Sequence, residues 1–164
     1  MNMKTETKQK IKIYIIAILI PLLVGVASAL LTRGNMDIYG EVNTPPLSPP
    51  SILFPIVWTV LYVLMGISSA MVYIHRANNE KSAAEGIAFY AASLVVNFLW
   101  SIIFFNMQRF LFAFIWLLLL LYLILKTILA YKKVYPTAAY LQIPYILWVT
   151  FAGYLNLAIY FLNK

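Results

Sequence analysis

Residues 94–120 read LVVNFLWSIIFFNMQRFLFAFIWLLLL, and Arg109 is the only charge among them. Two apolar runs meet there across the two-residue link Gln108-Arg109. Followed outward, one reaches back to Glu85 and the other on to Tyr131, so each is about 20 residues long, enough to cross a hydrocarbon core of roughly 30 Å as a helix. A link that short makes the two helices antiparallel neighbours. Three further runs of the same kind flank this hairpin: Ile11–Leu31, Ile52–Ile74 and Ala138–Leu162. Strands without a closed barrel would leave backbone groups unsatisfied in lipid, so every run is predicted helical. The expected fold is all-α, one membrane domain (1–164) of five transmembrane helices at about 11–31, 52–74, 85–107, 110–131 and 138–162.

Composition supports a bilayer as the solvent. Of the 164 residues, 63% are apolar and 10% charged, against about 45–50% and 25% in ordinary soluble domains. A globule of this size has too little polar surface to cover that imbalance. There is no cysteine, which removes disulfides and thiolate chemistry. The twelve Lys and Arg exceed the five acids, yet they lie between apolar runs and form no single basic face, so nucleic acid is not an expected partner. They report topology instead. Lys4, Lys8, Lys10, Lys12, Arg76, Lys81, Lys126, Lys132 and Lys133 fall on one side; Arg33, Arg109 and Lys164 fall on the other. That bias predicts a cytoplasmic amino terminus and an extracytoplasmic carboxyl terminus. Ala27-Ser28-Ala29 has the form of a signal cleavage site, but the preceding apolar run exceeds the usual 7–15 residues, so the first helix is expected to remain.

The link between the first two helices, residues 32–51, is long for a compact bundle. Pro45, Pro46, Pro49 and Pro50, around Leu47, fix φ and push the residues before them into extended conformations. Such a stiff segment either acts as a lid or merely stops a helix and spans a gap. Pro55 belongs to the first turn of the next helix, where its missing N–H costs nothing.

Three helices carry stripes of rings and hydrogen-bonding groups at helical spacing: Trp58 and Tyr62; Asn97, Trp100, Ser101 and Phe104; Tyr145, Trp148, Ala152 and Asn156. Amides facing lipid are costly, so the stripes are expected to turn inward. There they either line an apolar hollow suited to a flat lipophilic ligand or act as ordinary interhelical glue. Spacing alone leaves both readings open. Asp, Glu, Arg and His are missing from the middle of every run, which argues against ion-coupled pumping. Lys126 lies near a helix end and can snorkel. The single His75, without Cys or a second His, offers no metal site, and no cofactor is expected. No nucleophile, base and orienter set is visible for hydrolysis. Ala84, Ala88 and Ala92, like Gly25 and Ala29, repeat at four-residue spacing and serve close packing within the bundle or between two copies. Leu157, Tyr160 and Lys164 fit a loose sterol-contact pattern that arises readily by chance.

Three segments, PPLSPPSILFPIVWTVLYVLMG (45–66), NFLWSIIFF (97–105) and LQIPYILWVTFAGYLN (141–156), resemble the translocator protein family, also called tryptophan-rich sensory proteins or peripheral-type benzodiazepine receptors (TspO/MBR). The likeness covers nearly all of the chain from the first helix onward. It implies a five-helix bundle, commonly a homodimer, whose pocket under the first loop takes porphyrins, sterols and synthetic aromatic ligands. Carried onto this sequence, it assigns the pocket to Tyr39, Trp58, Tyr62, Asn97, Trp100, Phe104, Trp148 and Ala152. It also implicates Trp58 and Trp148 in photochemical porphyrin degradation by bacterial members. Where the family loop reads W-x-P-P, this chain has Leu47. The expected function is binding of porphyrins or similar lipophiles as sensor or carrier; the alternatives are a light-dependent porphyrin-degrading enzyme and a structural membrane partner.

Overall fold

The computed structural model describes residues 3–35 and 38–164; the side chains of Met3, Lys4 and Tyr39 lie outside that description. Helix α1 runs Met3–Thr32, α2 Ile38–Glu41, α3 Leu53–Ile74, α4 Glu80–Ser101, α5 Phe110–Val134, α6 Pro136–Tyr140 and α7 Ile143–Leu162. A π-helical turn, Ile102–Asn106, prolongs α4. Among the described residues five segments are long and apolar enough to cross a membrane, α6 and α7 together forming the fifth.

The helices overrun the apolar runs because hydropathy marks only the lipid-immersed part of a helix. Helix α1 has 30 residues, about 45 Å at 1.5 Å per residue, and its excess at the amino end carries Lys8 and Lys10. Helix α4 begins at Glu80 and not Glu85, because the Asn79 side chain caps it by accepting from the Ser82 N–H at 3.0 Å. The fifth span, expected as one helix from Ala138, breaks at Leu141-Gln142. Pro144 lacks the N–H that would bond the Tyr140 carbonyl. The break is sealed by buried side chains: Gln142 Nε2 donates to Ser68 Oγ at 3.1 Å, and Ser68 Oγ to the Ala138 carbonyl at 2.7 Å.

Around the bundle, α1 lies beside α3, α3 beside α6 and α7, these beside α5, α5 beside α4, and α4 closes back onto α1. The α1–α3 contact is backbone to backbone at Gly66, where a Cβ would stand 2.5 Å from Ile18 Cα. Helix α1 is nonetheless the least enclosed: 11% of its most apolar stretch is buried, against 44% for the α4 span.

The loop from α1 to α3 is fastened across one end of the bundle, here termed the lid face. Asn35 Nδ2 donates to Asn106 Oδ1 at 2.9 Å, and Asn106 Nδ2 to the Leu31 carbonyl at 3.1 Å. Farther along, the Asn43 N–H donates to Asn163 Oδ1 at 2.8 Å while Asn163 Nδ2 donates to the Asn43 carbonyl at 3.0 Å. Tyr154 Oη donates to the Pro46 carbonyl at 3.0 Å. Ile38 is buried in the core. Pro45 to Ser48 form a tight turn closed by the Ser48 N–H to the Pro45 carbonyl at 3.2 Å, with Pro46 leading and Leu47 at φ 71°. A positive φ at the third position is the signature of a type II turn, which ordinarily takes Gly or Asn there; Leu47 is 82% exposed.

Candidate functional site

Below the lid face, α1, α3 and the end of α4 enclose a cavity of about 210 Å³. One wall is aromatic. Trp58 and Tyr62, one helical turn apart on α3, stack at 5.4 Å, and Trp58 lies tilted at 6.5 Å from Trp100 on α4. Tyr62 is fixed from behind, since Asn97 Nδ2 donates to its hydroxyl at 3.0 Å. Trp100 is fixed by its Nε1–H, which donates to Asn156 Oδ1 at 3.3 Å; Asn156 in turn donates to the Ala152 carbonyl at 2.7 Å. The π-helical turn widens the backbone just past Trp100, so the successive rings of Phe104 and Phe105 both pack on its indole, at 5.5 and 6.2 Å.

The opposite wall is α1, through Leu22, Gly25, Val26, Ser28, Ala29 and Thr32. Gly25 is required here, because a Cβ at that position would collide with the Tyr62 ring. Thr59, Ser101, Phe54, Pro55 and Phe105 complete the lining. No lining residue is ionisable apart from the Tyr62 phenol, so the cavity offers apolar contact, ring faces and a few hydroxyls.

Of the residues singled out from the sequence, Trp58, Tyr62 and Trp100 line this cavity. Asn97 and Phe104 are buried one layer behind it, holding Tyr62 and Trp100. Ala152 is buried on α7. Trp148 stands elsewhere, in an open groove on the outer side of α3 with Ile56, Val60, Pro144, Leu147 and Phe151. Phe54, which lines the cavity, meets the Trp148 indole edge-on at 5.9 Å and separates the two places. The Tyr39 side chain lies outside the described residues. Pro45, Pro46, Leu47, Pro49 and Pro50 belong to the strap over the lid face and none lines the cavity. Ala84 and Ala88 point outward from α4, with Ala92 half-buried.

The sequence spacing assigns Gly25 and Ala29 to close packing and does not anticipate the α1 wall of the cavity. Its signal was present as Gly25, Ser28, Ala29 and Thr32, a small and polar stripe at helical spacing in an otherwise bulky helix. Away from the cavity, His75 stacks on Tyr135 at 4.1 Å, Lys126 reaches over the Phe89 ring at 5.4 Å, and Lys164 folds over Tyr160 and Phe161.

Five membrane-crossing segments strapped at one end around an uncharged aromatic cavity define an integral, multi-pass membrane protein with a candidate site for lipophiles. The TspO/MBR family model matches residues 17–162, and the chain belongs to that family. It is similar to the tryptophan-rich protein TspO of Archaeoglobus fulgidus, 36% identical over 148 residues that cover 90% of this chain and 94% of the relative. It is also similar to the translocator protein of Bos taurus, at 34% identity over 84% of this chain and 82% of the relative. The tryptophan-rich sensory protein of Cereibacter sphaeroides is 33% identical over 72% of each chain.

Proposed function

We propose that this protein binds flat, lipophilic ligands of the tetrapyrrole class in the cavity between α1, α3 and α4, as a sensor or carrier. The observation that carries this reading is the stacked wall of Trp58 and Tyr62 facing an uncharged hollow beside Trp100. A macrocycle face can lie against such rings by offset stacking. Relatives named as a sensory protein and as a translocator support the choice of sensor or carrier. At about 210 Å³ the cavity is smaller than the roughly 300–1,000 Å³ of most ligand pockets. A whole macrocycle therefore enters only as α1, the least enclosed helix, moves outward. Carboxylates on the ligand remain outside the uncharged cavity, at the lid face, where Arg33 directly follows the lining residue Thr32. The alternative, a light-driven degradation, would draw on Trp58 in this cavity and on Trp148 in the neighbouring groove.

The same reading places the amino terminus in the cytoplasm, from the Lys and Arg bias. It also pairs two copies through the outward Ala84 and Ala88 face of α4, with lipid around the remainder.

The test is a titration of the purified protein with protoporphyrin IX, followed by tryptophan fluorescence. Trp58→Ala is expected to weaken binding at least about tenfold, the scale of a buried aromatic anchor. Trp148→Ala, outside the cavity, is expected to leave affinity nearly unchanged. Full affinity in Trp58→Ala overturns the assignment.

A further inference from the structure

We propose that the bundle holds ordered water in a polar core beneath the cavity, bound by the hydroxyls of Tyr90, Tyr131 and Tyr145 and the amide of Asn97. These side chains come from three helices, α4, α5 and α7, and are between 0% and 6% exposed. The three phenol oxygens and Asn97 Oδ1 are fully enclosed and none makes a well-formed hydrogen bond among the described residues; Tyr90 and Tyr145 have only a serine hydroxyl, Ser69 and Ser93, in looser reach. Rotating the Asn97 amide only exchanges the orphan, because one of its two polar ends already meets Tyr62.

The four groups form one cluster. The Tyr90 and Tyr131 rings stand 6.5 Å apart, and Tyr90 is within electrostatic reach of Tyr62, Tyr131 and Tyr145. Ser69 lies beside Tyr90 and Ser93 beside Tyr145, but both serines already donate, to the Gly66 carbonyl at 3.0 Å and the Tyr90 carbonyl at 2.7 Å. They can accept from Tyr90 and Tyr145, but neither is a partner of Tyr131 Oη or Asn97 Oδ1. Nor can Tyr131 swing to another partner. Its ring sits against the α4 backbone at Gly86, where a Cβ would lie 2.7 Å from Tyr131 Cδ1.

A buried hydroxyl without a partner costs the full desolvation of that group, more than a typical made bond contributes. With Ser69 and Ser93 accepting from Tyr90 and Tyr145, the Tyr131 hydroxyl and Asn97 Oδ1 still lack a partner, and their cost is a sizeable share of the small net stability of a fold. Hydrocarbon offers them nothing, whereas a buried water satisfies two to four polar groups at once. The cluster begins where the cavity ends: Tyr62 is at once the deepest part of the aromatic wall and the partner of Asn97. The inference does not depend on any ligand entering that cavity.

The test uses the full chain in lipid nanodiscs, with structure determination at a resolution that shows ordered water, and thermal unfolding of Tyr131→Phe and Tyr145→Phe. The expected results are water density within hydrogen-bonding distance of at least two of the four oxygens and a lower Tm for Tyr131→Phe, which has no serine beside it and loses only a bond to water; Tyr145→Phe, which also loses its contact with Ser93, is the comparison. Either of two results overturns the proposal: water density at fewer than two of the four oxygens, or Tyr131→Phe melting at or above the parent. The second is what removal of a truly orphaned hydroxyl would produce.

Discussion

Gly66→Ala is the substitution for which the structure gives the clearest arithmetic. Gly66 lies one turn beyond Tyr62 on α3, and an added methyl would stand 2.5 Å from Ile18 Cα, 2.8 Å from the Ala17 carbonyl oxygen and 2.9 Å from Ile18 N. All three obstacles are backbone, so no rotamer change relieves them. Ordinary carbon–carbon contact is about 3.5–4.0 Å, so α1 must retreat by roughly 1 Å or more. The Ala17 carbonyl is the one that Pro21, buried in α1, leaves without its usual N–H donor; Gly66 lets α3 come up against it. Overpacking of this kind costs about 1–3 kcal/mol, while Ala gains about 1 kcal/mol over Gly in a helix interior. The net expectation is a loss of about 1 kcal/mol and a Tm lower by about 2–4 °C for a chain of this size. Gly153→Ala is the matched control, because there the nearest atom, Phe114 Cε2, is 3.8 Å from the new methyl, an ordinary contact. It should raise Tm by a similar amount through helix propensity alone. Thermal unfolding of both variants in one detergent separates the cases, and a Gly66→Ala protein that melts higher, as Gly153→Ala should, refutes the close α1–α3 approach.

Two further outcomes follow from individual contacts. Asn163→Ala removes two of the three hydrogen bonds that hold the strap at Asn43, leaving Asn43 Nδ2 to the Leu162 carbonyl at 3.5 Å; the two lost are exposed, so the loss should be about 1 kcal/mol or less. Amide exchange across residues 42–48 should accelerate while the middles of α4 and α5 stay protected, and unchanged exchange in the strap counts against the clasp. Trp100→Phe keeps a ring in the wall but strands the buried Asn156 Oδ1, at about 1–3 kcal/mol. A drop in Tm larger than that of Trp148→Phe is expected, and equal melting points would show that the Trp100–Asn156 bond contributes nothing.

Much of this architecture was legible in the chain. Five apolar runs of bilayer length and a two-residue link at Gln108-Arg109 fixed five helices and one antiparallel pair, because hydropathy and length are local properties. The aromatic stripes were equally legible, since side chains three or four apart share a helix face by geometry alone. Pro55 marked a helix start for the same local reason, whereas the break at Leu141-Gln142 ahead of Pro144 is passed over when that apolar run is read for its length alone.

Tertiary structure alone decided which stripes share a hollow. In a soluble protein the apolar face of a helix points inward, but lipid is as apolar as the core, so hydropathy does not set how a helix is turned in the bundle. That turning came from close approaches such as Gly25 against Tyr62 and Gly66 against Ile18. It also came from polar pairs between helices, Asn97 with Tyr62 and Trp100 with Asn156. Those contacts set Trp58 and Trp100 on the cavity and left Trp148 across Phe54 in another groove. They also supplied a wall from α1 that no aromatic signal announced. Hydropathy and periodicity act within one helix, whereas a cavity exists only between helices.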